Sequence, residues 1–366
     1  MKKILVILFS FVCYAALSGQ EHTLQYKIGD VQKLFGEKND TLSIAIIGDV
    51  MMHSKQLEYD CKPFLSMIKE DLAGADIAIA NMEFALGGEP YSGYPAFSTP
   101  DYYADYAAEC GIDVFLTANN HITDKGSKGF RRTLQYYDNM ELDGKIRYTG
   151  SGINEYDFLH RNPLFIQHKG IRVALVNFTY GTNSPESQDW PKVAREKHSE
   201  LIEEALKRAK EGRADIIIAL PHWGQEYILG HSSHQERTAR WLAENGADII
   251  VGAHPHVVQD TSIIHFQDKE IPVYYSLGNA VSNMSATNTQ LEIMARINII
   301  RTPDGDVFIS ETSYDWLWCS RPGGFTDNYV VLPVARMRNN PELWDNAADY
   351  KKMIATLKNV KEETGL

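Results

Sequence analysis

Cysteine is scarce in this chain. Four occur among 366 residues, and one of them, Cys13, lies in the N-terminal apolar stretch. Cys61, Cys110 and Cys319 can close one disulfide at most. No CxxC or Cys/His zinc spacing joins them, so neither a disulfide scaffold nor a thiolate zinc site is expected. A second long apolar run is also missing. Beyond the N-terminus no segment is apolar enough to cross a bilayer. Basic charge is in deficit, with a formal net charge of −12. Such a chain repels nucleic acid and anionic membrane surfaces, which are therefore not expected partners. No stretch of biased composition marks a linker.

What is present begins with Lys2 and Lys3, an apolar stretch from Ile4 to Leu17, and the small residues Ser18 and Gly19. This is the layout of a secretory signal peptide, assigned to residues 1–19, with cleavage after Ser18 or Gly19. The stretch is short for a spanning helix. Val12 sits where a lipid-attachment box needs a small residue. Export to the periplasm or cell envelope is the expectation. Loss of the leader removes two lysines and leaves 34 basic against 48 acidic residues, a net −14.

Four stretches share one pattern: GADIAIANME from Gly74, GIDVFLTANNH from Gly111, RADIIIALPHWG from Arg213 and GADIIVGAHPHV from Gly246. Each opens a short apolar run with an aspartate, namely Asp76, Asp113, Asp215 and Asp248. Such runs suit strands buried on both faces. Helical patterns precede them at 61–72, 101–110, 199–211 and 234–244, which together predict an α/β fold with a partly parallel sheet. The four aspartates read as solvated turn residues. From about residue 160 the chain gains β character. A hairpin is expected at Lys169-Gly170, and further strands in IPVYYSLGN, LEIMARINII and DVFISETSY. Residues 314–340 look irregular, and a helix is expected from about 341 to 363. This gives a main domain over 20–313 and an extension over 314–366 packing on it.

The far ends of the apolar runs carry the chemistry. Six to eight residues past each aspartate stand Glu83, Asn119 to His121, His222, and the pair His254 and His256. A fifth strand, Ser43 to Ile47, leads to Gly48 and Asp49. In α/β sheets ligands collect beyond the C-terminal strand ends, so these groups are expected to form one site. His254 and His256 flank Pro255, which fixes a turn and cannot continue a central strand. Neutral imidazoles, the carboxylates of Asp49 and Glu83 and the amide oxygen of Asn120 make a mixed N/O donor set suited to zinc, manganese or iron. His121 follows Asn120 directly, so its side chain leaves in another direction and suits a general acid or base better than a ligand.

In order along the chain, GDVMMH, NMEFAL, ANNH, PHWGQEY, GAHPHVVQ and YSLGN resemble the CapA capsule-synthesis family, which is associated with bacterial poly-γ-glutamate. The resemblance covers residues 43 to about 290. That family is in turn similar to the calcineurin-like metallophosphatases. The resemblance implies a four-layer α/β/β/α sandwich with a divalent metal site (Mn, Zn or Fe, one or two ions) at the strand ends. It implies Asp49, Glu83, Asn120, His222, His254 and His256 as ligands, Glu83 at the bridging position, and His121 with Asp49 as the catalytic pair. Membrane-associated capsule machinery is the implied context. The implied substrate is an anionic polymer or a small phosphoester or amide.

Two departures stand out. Met51 occupies a position where the phosphatase pattern has a histidine, and Glu83 is a methylene longer than the usual Asp. The site is thus short of one ligand and is open to one ion, two loosely held ions, or none. Without metal, His121, His254 and Asp49 would remain for acid–base chemistry. Substrate-binding candidates are Asn81, Asn119, Trp223, Glu226, Ser276 and Asn279. Against these roles, Trp223 also reads as wall or core, Glu226 as a histidine-orienting group or a surface acid, and Ser276 and Asn279 as turn residues. Two readings of function remain: an exported hydrolase, or a non-catalytic assembly or tethering protein.

Overall fold

The computed structural model describes residues 40–185 and 187–366. The expected signal peptide and Cys13 lie outside the described residues. The strands are β1 (Asp40–Val50), β2 (Ile77–Met82), β3 (Val114–Leu116), β4 (Arg147–Thr149), β5 (Ser151–Gly152), β6 (Leu164–His168), β7 (Ile171–Thr179), β8 (Lys192–Val193), β9 (Ile216–His222), β10 (Ile249–Val251), β11 (Thr261–Phe266), β12 (Lys269–Tyr274), β13 (Leu291–Arg301), β14 (Val307–Ser320) and β15 (Val330–Pro333). The longer helices are α1 (Asp101–Glu109), α2 (Gly126–Leu142), α3 (Ser199–Glu211), α4 (Ser233–Glu244) and α5 (Ala347–Thr364).

Two large sheets form. One runs β15-β14-β13-β1-β2-β3-β4 and the other β11-β12-β10-β9-β7-β6. The central pairs β1–β2, β2–β3 and β3–β4 are parallel, as are β7–β9, β9–β10 and β10–β12.

Side-chain alternation sorts the core into three layers. Ile44 and Ile46 of β1 pack with Val173, Leu175, Ile216 and Ile218 between the sheets. Ala45 and Ile47 face the other way, onto Tyr103 and Ala107 of α1 and Leu134 of α2. On the second sheet Ala174, Ile217 and Ala219 face Ile202 and Leu206 of α3 and Leu242 of α4. The result is a helix–sheet–sheet–helix sandwich of four layers, as expected.

Three local expectations are corrected. Helix over 61–72 forms only at Lys69–Ala73. Upstream, Phe64 O accepts from Val331 N and Leu65 N donates to the Tyr106 hydroxyl, so tertiary partners take the groups a helix would pair. Residues 314–340 are not irregular throughout. β14 continues to Ser320 and β15 pairs with it, so both belong to the first sheet. The four aspartates are more than solvated turn residues, although Asp113 and Asp215 are exposed. Each precedes a parallel strand and clamps one residue of its neighbour.

In every case the backbone N–H donates to that residue's carbonyl, and the carboxylate accepts that same residue's N–H. Asp76 does this to Ser43, Asp113 to Ala78, Asp215 to Arg172 and Asp248 to Ile217, with carboxylate contacts of 2.9, 2.8, 2.7 and 2.9 Å. The clamp fixes register at the end of the strands opposite to the site.

Burial pushes the Asp76 carboxyl up, but hydrogen bonds from Lys169 and Ser43 outweigh it and bring it down to about 2. A depressed carboxylate stabilises above its unfolded value and loses that effect as pH falls through the folded one. Asp76→Asn is therefore expected to cost about 1 kcal/mol at pH 7 after allowance for solvent screening. Denaturant melts should show the gap to the parent closing between pH of about 4 and 2.

Candidate metal centre

The C-terminal ends of β1, β2, β3, β9 and β10 deliver their polar side chains to one buried place. Asp49 sits one residue before the end of β1. Gly48 allows the approach, because a Cβ there would lie 2.0 Å from Gly278 O. The Asp49 N–H donates to that same carbonyl at 3.1 Å. Gly48 N donates to Oε1 of the buried Glu292. Glu83 follows β2 directly, and His222 ends β9. His254 and His256, just past β10, hold φ of 99° and 60°, a left-handed backbone on both sides of Pro255. Non-glycine residues adopt it at a cost, which the surrounding structure sustains.

The side chains converge. His222 Nδ1 lies 3.8 Å from Asp49 Oδ1, and its Nε2 lies 3.5 Å from Glu83 Oε1. His256 Nδ1 lies 3.3 Å from Asp49 Oδ2 and 3.8 Å from Glu83 Oε2. His222 Nε2 donates to Asn120 Oδ1 at 2.8 Å, while Asn81 Nδ2 reaches both Asp49 Oδ1 (2.6 Å) and His222 Nδ1 (3.2 Å). Two donor groups result, each with its atoms within 4.8 Å of one another: Asp49, Glu83 and His222, and Glu83, His254 and His256. Glu83 is common to both.

The electrostatics fit a cation. Both Glu83 oxygens are buried without a hydrogen-bond donor, and so is His254 Nδ1. Desolvation, then the neighbouring Asp49, push the Glu83 carboxyl well above its ordinary value. Burial takes His222 down to about 3 and His254 well below the usual imidazole range, so both are neutral and offer lone pairs. Burial pulls His256 down too, but the hydrogen bond and charge of Asp49 prevail and raise it. Asp49 is raised by burial and lowered more by His256 and His222, ending below its ordinary value. Buried carboxylates without donors are costly unless a positive partner arrives.

His121 stands beside this group. Its Nδ1 donates to Asp124 Oδ2 at 2.7 Å, and its Nε2 lies 4.0 Å from Glu83 Oε1. Asn183 approaches both His121 Nδ1 and Asn120. Asn119 donates to Met82 O and to Asn81, and accepts from His121 N. Asn279 Oδ1 meets His256 Nδ1 at 2.9 Å. Asn81, Asn119 and Asn279 thus brace site residues from within the buried network.

The structure places Trp223 in the outer core, fully buried, with Nε1 donating to Tyr275 O. Ser276 is buried and donates to Val257 O. Neither side chain lines the cleft mouth. Glu226 does, as an exposed acid beside Asn120 and His121. Met51 is fully buried, and His53 is held by Gln56 and by Asn283 N.

Sequence reasoning missed Asp124, although the i, i+3 spacing in HITD pointed to it. It also missed Glu292, a lone acid in an apolar strand. Asn183 and Tyr180 carried no sequence signal, because only the fold brings their loop to the site.

The class defined by fold and site is a four-layer α/β sandwich with a buried carboxylate–imidazole–amide cluster at its strand ends. The sequence profile of the family described as bacterial capsule synthesis protein PGA_cap matches residues 43–284, and the chain belongs to that family. It is similar to the capsule biosynthesis protein CapA of Bacillus anthracis, with 30% identity over 267 residues, 69% of this chain and 62% of the relative. It is also similar to the PGA biosynthesis protein CapA of Bacillus subtilis (strain 168), with 29% identity over 199 residues, 54% of this chain and 50% of the relative. The chain spans less than two thirds of the length of these curated relatives.

Among solved structures, the NAD nucleotidase of Haemophilus influenzae aligns with 89% of this chain and 68% of its own, at TM-score 0.47 and 14% identity. A 5′-nucleotidase precursor from Thermus thermophilus aligns with 88% and 59%, at TM-score 0.45 and 12% identity. Scores below 0.5 say nothing of this chain's chemistry.

Glu83→Gln removes the cost of burying a carboxyl whose ionisation desolvation and Asp49 oppose. Chelator-treated protein carrying it is expected to gain about 1–3 kcal/mol. The same variant should lose the metal bound by the parent. Thermal melts and elemental analysis check the two signs together.

Proposed function

We propose that the chain is an exported, metal-dependent hydrolase of capsule polymer metabolism, acting on a phosphoester or a γ-glutamyl amide. The observation that carries this reading is the buried Glu83 carboxylate, shared by two donor groups and lacking any hydrogen-bond donor. Asp49, Glu83, Asn120, His222, His254 and His256 are the residues that would hold manganese, zinc or iron. Such an ion, when bound, supplies Lewis-acid polarisation and acidifies water.

The chain's own residues supply the rest. Asp124 orients the His121 ring through Nδ1, leaving Nε2 to take up a proton and pass it on to the leaving group. Asn81, Asn119 and Asn279 keep Asp49, His121 and His256 aimed. The capsule context is supported by family membership and by the printed names of the relatives. No helix among the described residues is long and apolar enough to cross a membrane. Export rests on the N-terminal sequence.

A second reading, polymer binding without turnover, is favoured by one observation. Met51 stands buried where the phosphatase pattern has a histidine.

The test takes the full chain purified without added metal, beside His254→Ala and His121→Gln. The hydrolase reading expects one or two ions per chain, lost in His254→Ala and kept in His121→Gln. Turnover of p-nitrophenyl phosphoesters or γ-glutamyl p-nitroanilide should fall about 10²–10⁴-fold in His121→Gln. Absence of metal after supplementation would sink this mechanism. Metal without any turnover would favour the binding reading.

A further inference from the structure

Three exposed tyrosines stand at the site, each beside a different histidine. The Tyr94 ring lies 6.4 Å from His121, Tyr180 lies 4.5 Å from His254, and Tyr227 lies 6.2 Å from His256. All three are open to solvent, at 66%, 42% and 43% exposure. Aromatic rings left this exposed beside a buried polar site have an unmet apolar face.

Their backbones are tied to the site itself. Tyr180 N donates to His222 O, and Tyr227 N donates to Pro255 O between the two histidines. Tyr227 also holds φ of 67°, a conformation a bulky residue adopts only under restraint. Tyr94 tips a tight loop closed by paired Ser92–Ser98 hydrogen bonds. That loop is pinned through Phe97 N to Asp124 Oδ2, the oxygen that also holds His121. The rings are therefore preorganised with the catalytic side chains.

Tyr180 and Tyr227 stand at the neighbouring histidines His254 and His256. A cavity of about 350 Å³, within the range of small-ligand pockets, opens beside His121 with Tyr94 in its wall. Its polar lining is Asn120, His121, Asp124, Asn183, Ser184 and Glu226. Among the described residues no lysine or arginine lines it. Lys192 and Arg195 line a separate cavity of about 230 Å³ that shares Ser184.

We propose that this cavity, with the tyrosines beside it, binds a saccharide, so that the group next to the reacting bond is a neutral sugar ring rather than a run of free carboxylates. A sugar offers C–H faces that stack on aromatic rings and hydroxyls that donate to carboxylate and amide oxygens such as those of Glu226 and Asn183. A polycarboxylate would meet Glu226 with no lysine or arginine in the cavity wall to pair it, on a protein already at −12. The proposal deepens the hydrolase reading and rests on it only in taking the cleft as the substrate site.

The test is saturation-transfer NMR on the full chain, in chelator, with chitotetraose, cellotetraose and maltotetraose as probes. γ-Linked pentaglutamate and AMP serve as competitors. At least one tetrasaccharide is expected to bind, to weaken tenfold or more in Tyr180→Ala and in Tyr94→Ala, and to resist both competitors. Tyr94 tips an exposed loop, so its variant keeps the test valid if Tyr180→Ala fails to fold. The proposal is overturned if no tetrasaccharide binds, if the tyrosine variants leave binding unchanged, or if pentaglutamate or AMP takes the site. Because binding is read without metal, failure of the metal centre leaves this result standing, and the reverse.

Discussion

A carboxylate with no donor cannot stay charged in a dry interior unless something positive joins it. Glu83 is such a group. Desolvation and the charge of Asp49 both oppose its ionisation, and neither oxygen is hydrogen-bonded. Around it the imidazoles of His222 and His254 are held neutral by burial. His256, raised by the hydrogen bond and charge of Asp49, lies between Asp49 and Glu83. The arrangement is poor as a core and good as a cradle for a cation. Much of the surrounding structure keeps these groups together against their mutual cost.

The fold does this from both ends of its strands. At one end the aspartates before β2, β3, β9 and β10 lock the register of adjacent parallel strands through reciprocal backbone and carboxylate bonds. A slip of one residue there would turn Asp49 or His222 to the wrong face. At the other end, the same strands stop at the polar cluster. The apolar layer between the sheets brings the two sets of strand ends together, so ligands distant in sequence meet. Close backbone approach at Gly48 and left-handed backbone at His254 and His256 complete the placement.

Much of this was legible in the chain. Apolar runs opening on aspartate and closing on His, Asn or Glu marked parallel strands and the edge that carries the site. What escaped depended on tertiary partners. The 61–68 stretch has helical periodicity, but Val331 and Tyr106 claim its backbone groups. The aspartates looked like turn residues because their acceptor role exists only across a sheet. Trp223 and Ser276 lay next to site residues in sequence, yet just past their strand ends they turn inward and donate to the Tyr275 and Val257 carbonyls. Asn183 and the exposed tyrosines sit on loops, whose approach to the site no periodicity encodes.

The central claim is that Glu83 exists to hold a cation. Crystals of the full chain loaded with manganese, measured for anomalous scattering at the manganese edge, test it most directly. The account predicts a peak in contact with the Glu83 carboxylate and flanked by His222, by His254 and His256, or by both sets. A well-ordered, manganese-loaded structure in which no peak touches Glu83 would contradict it.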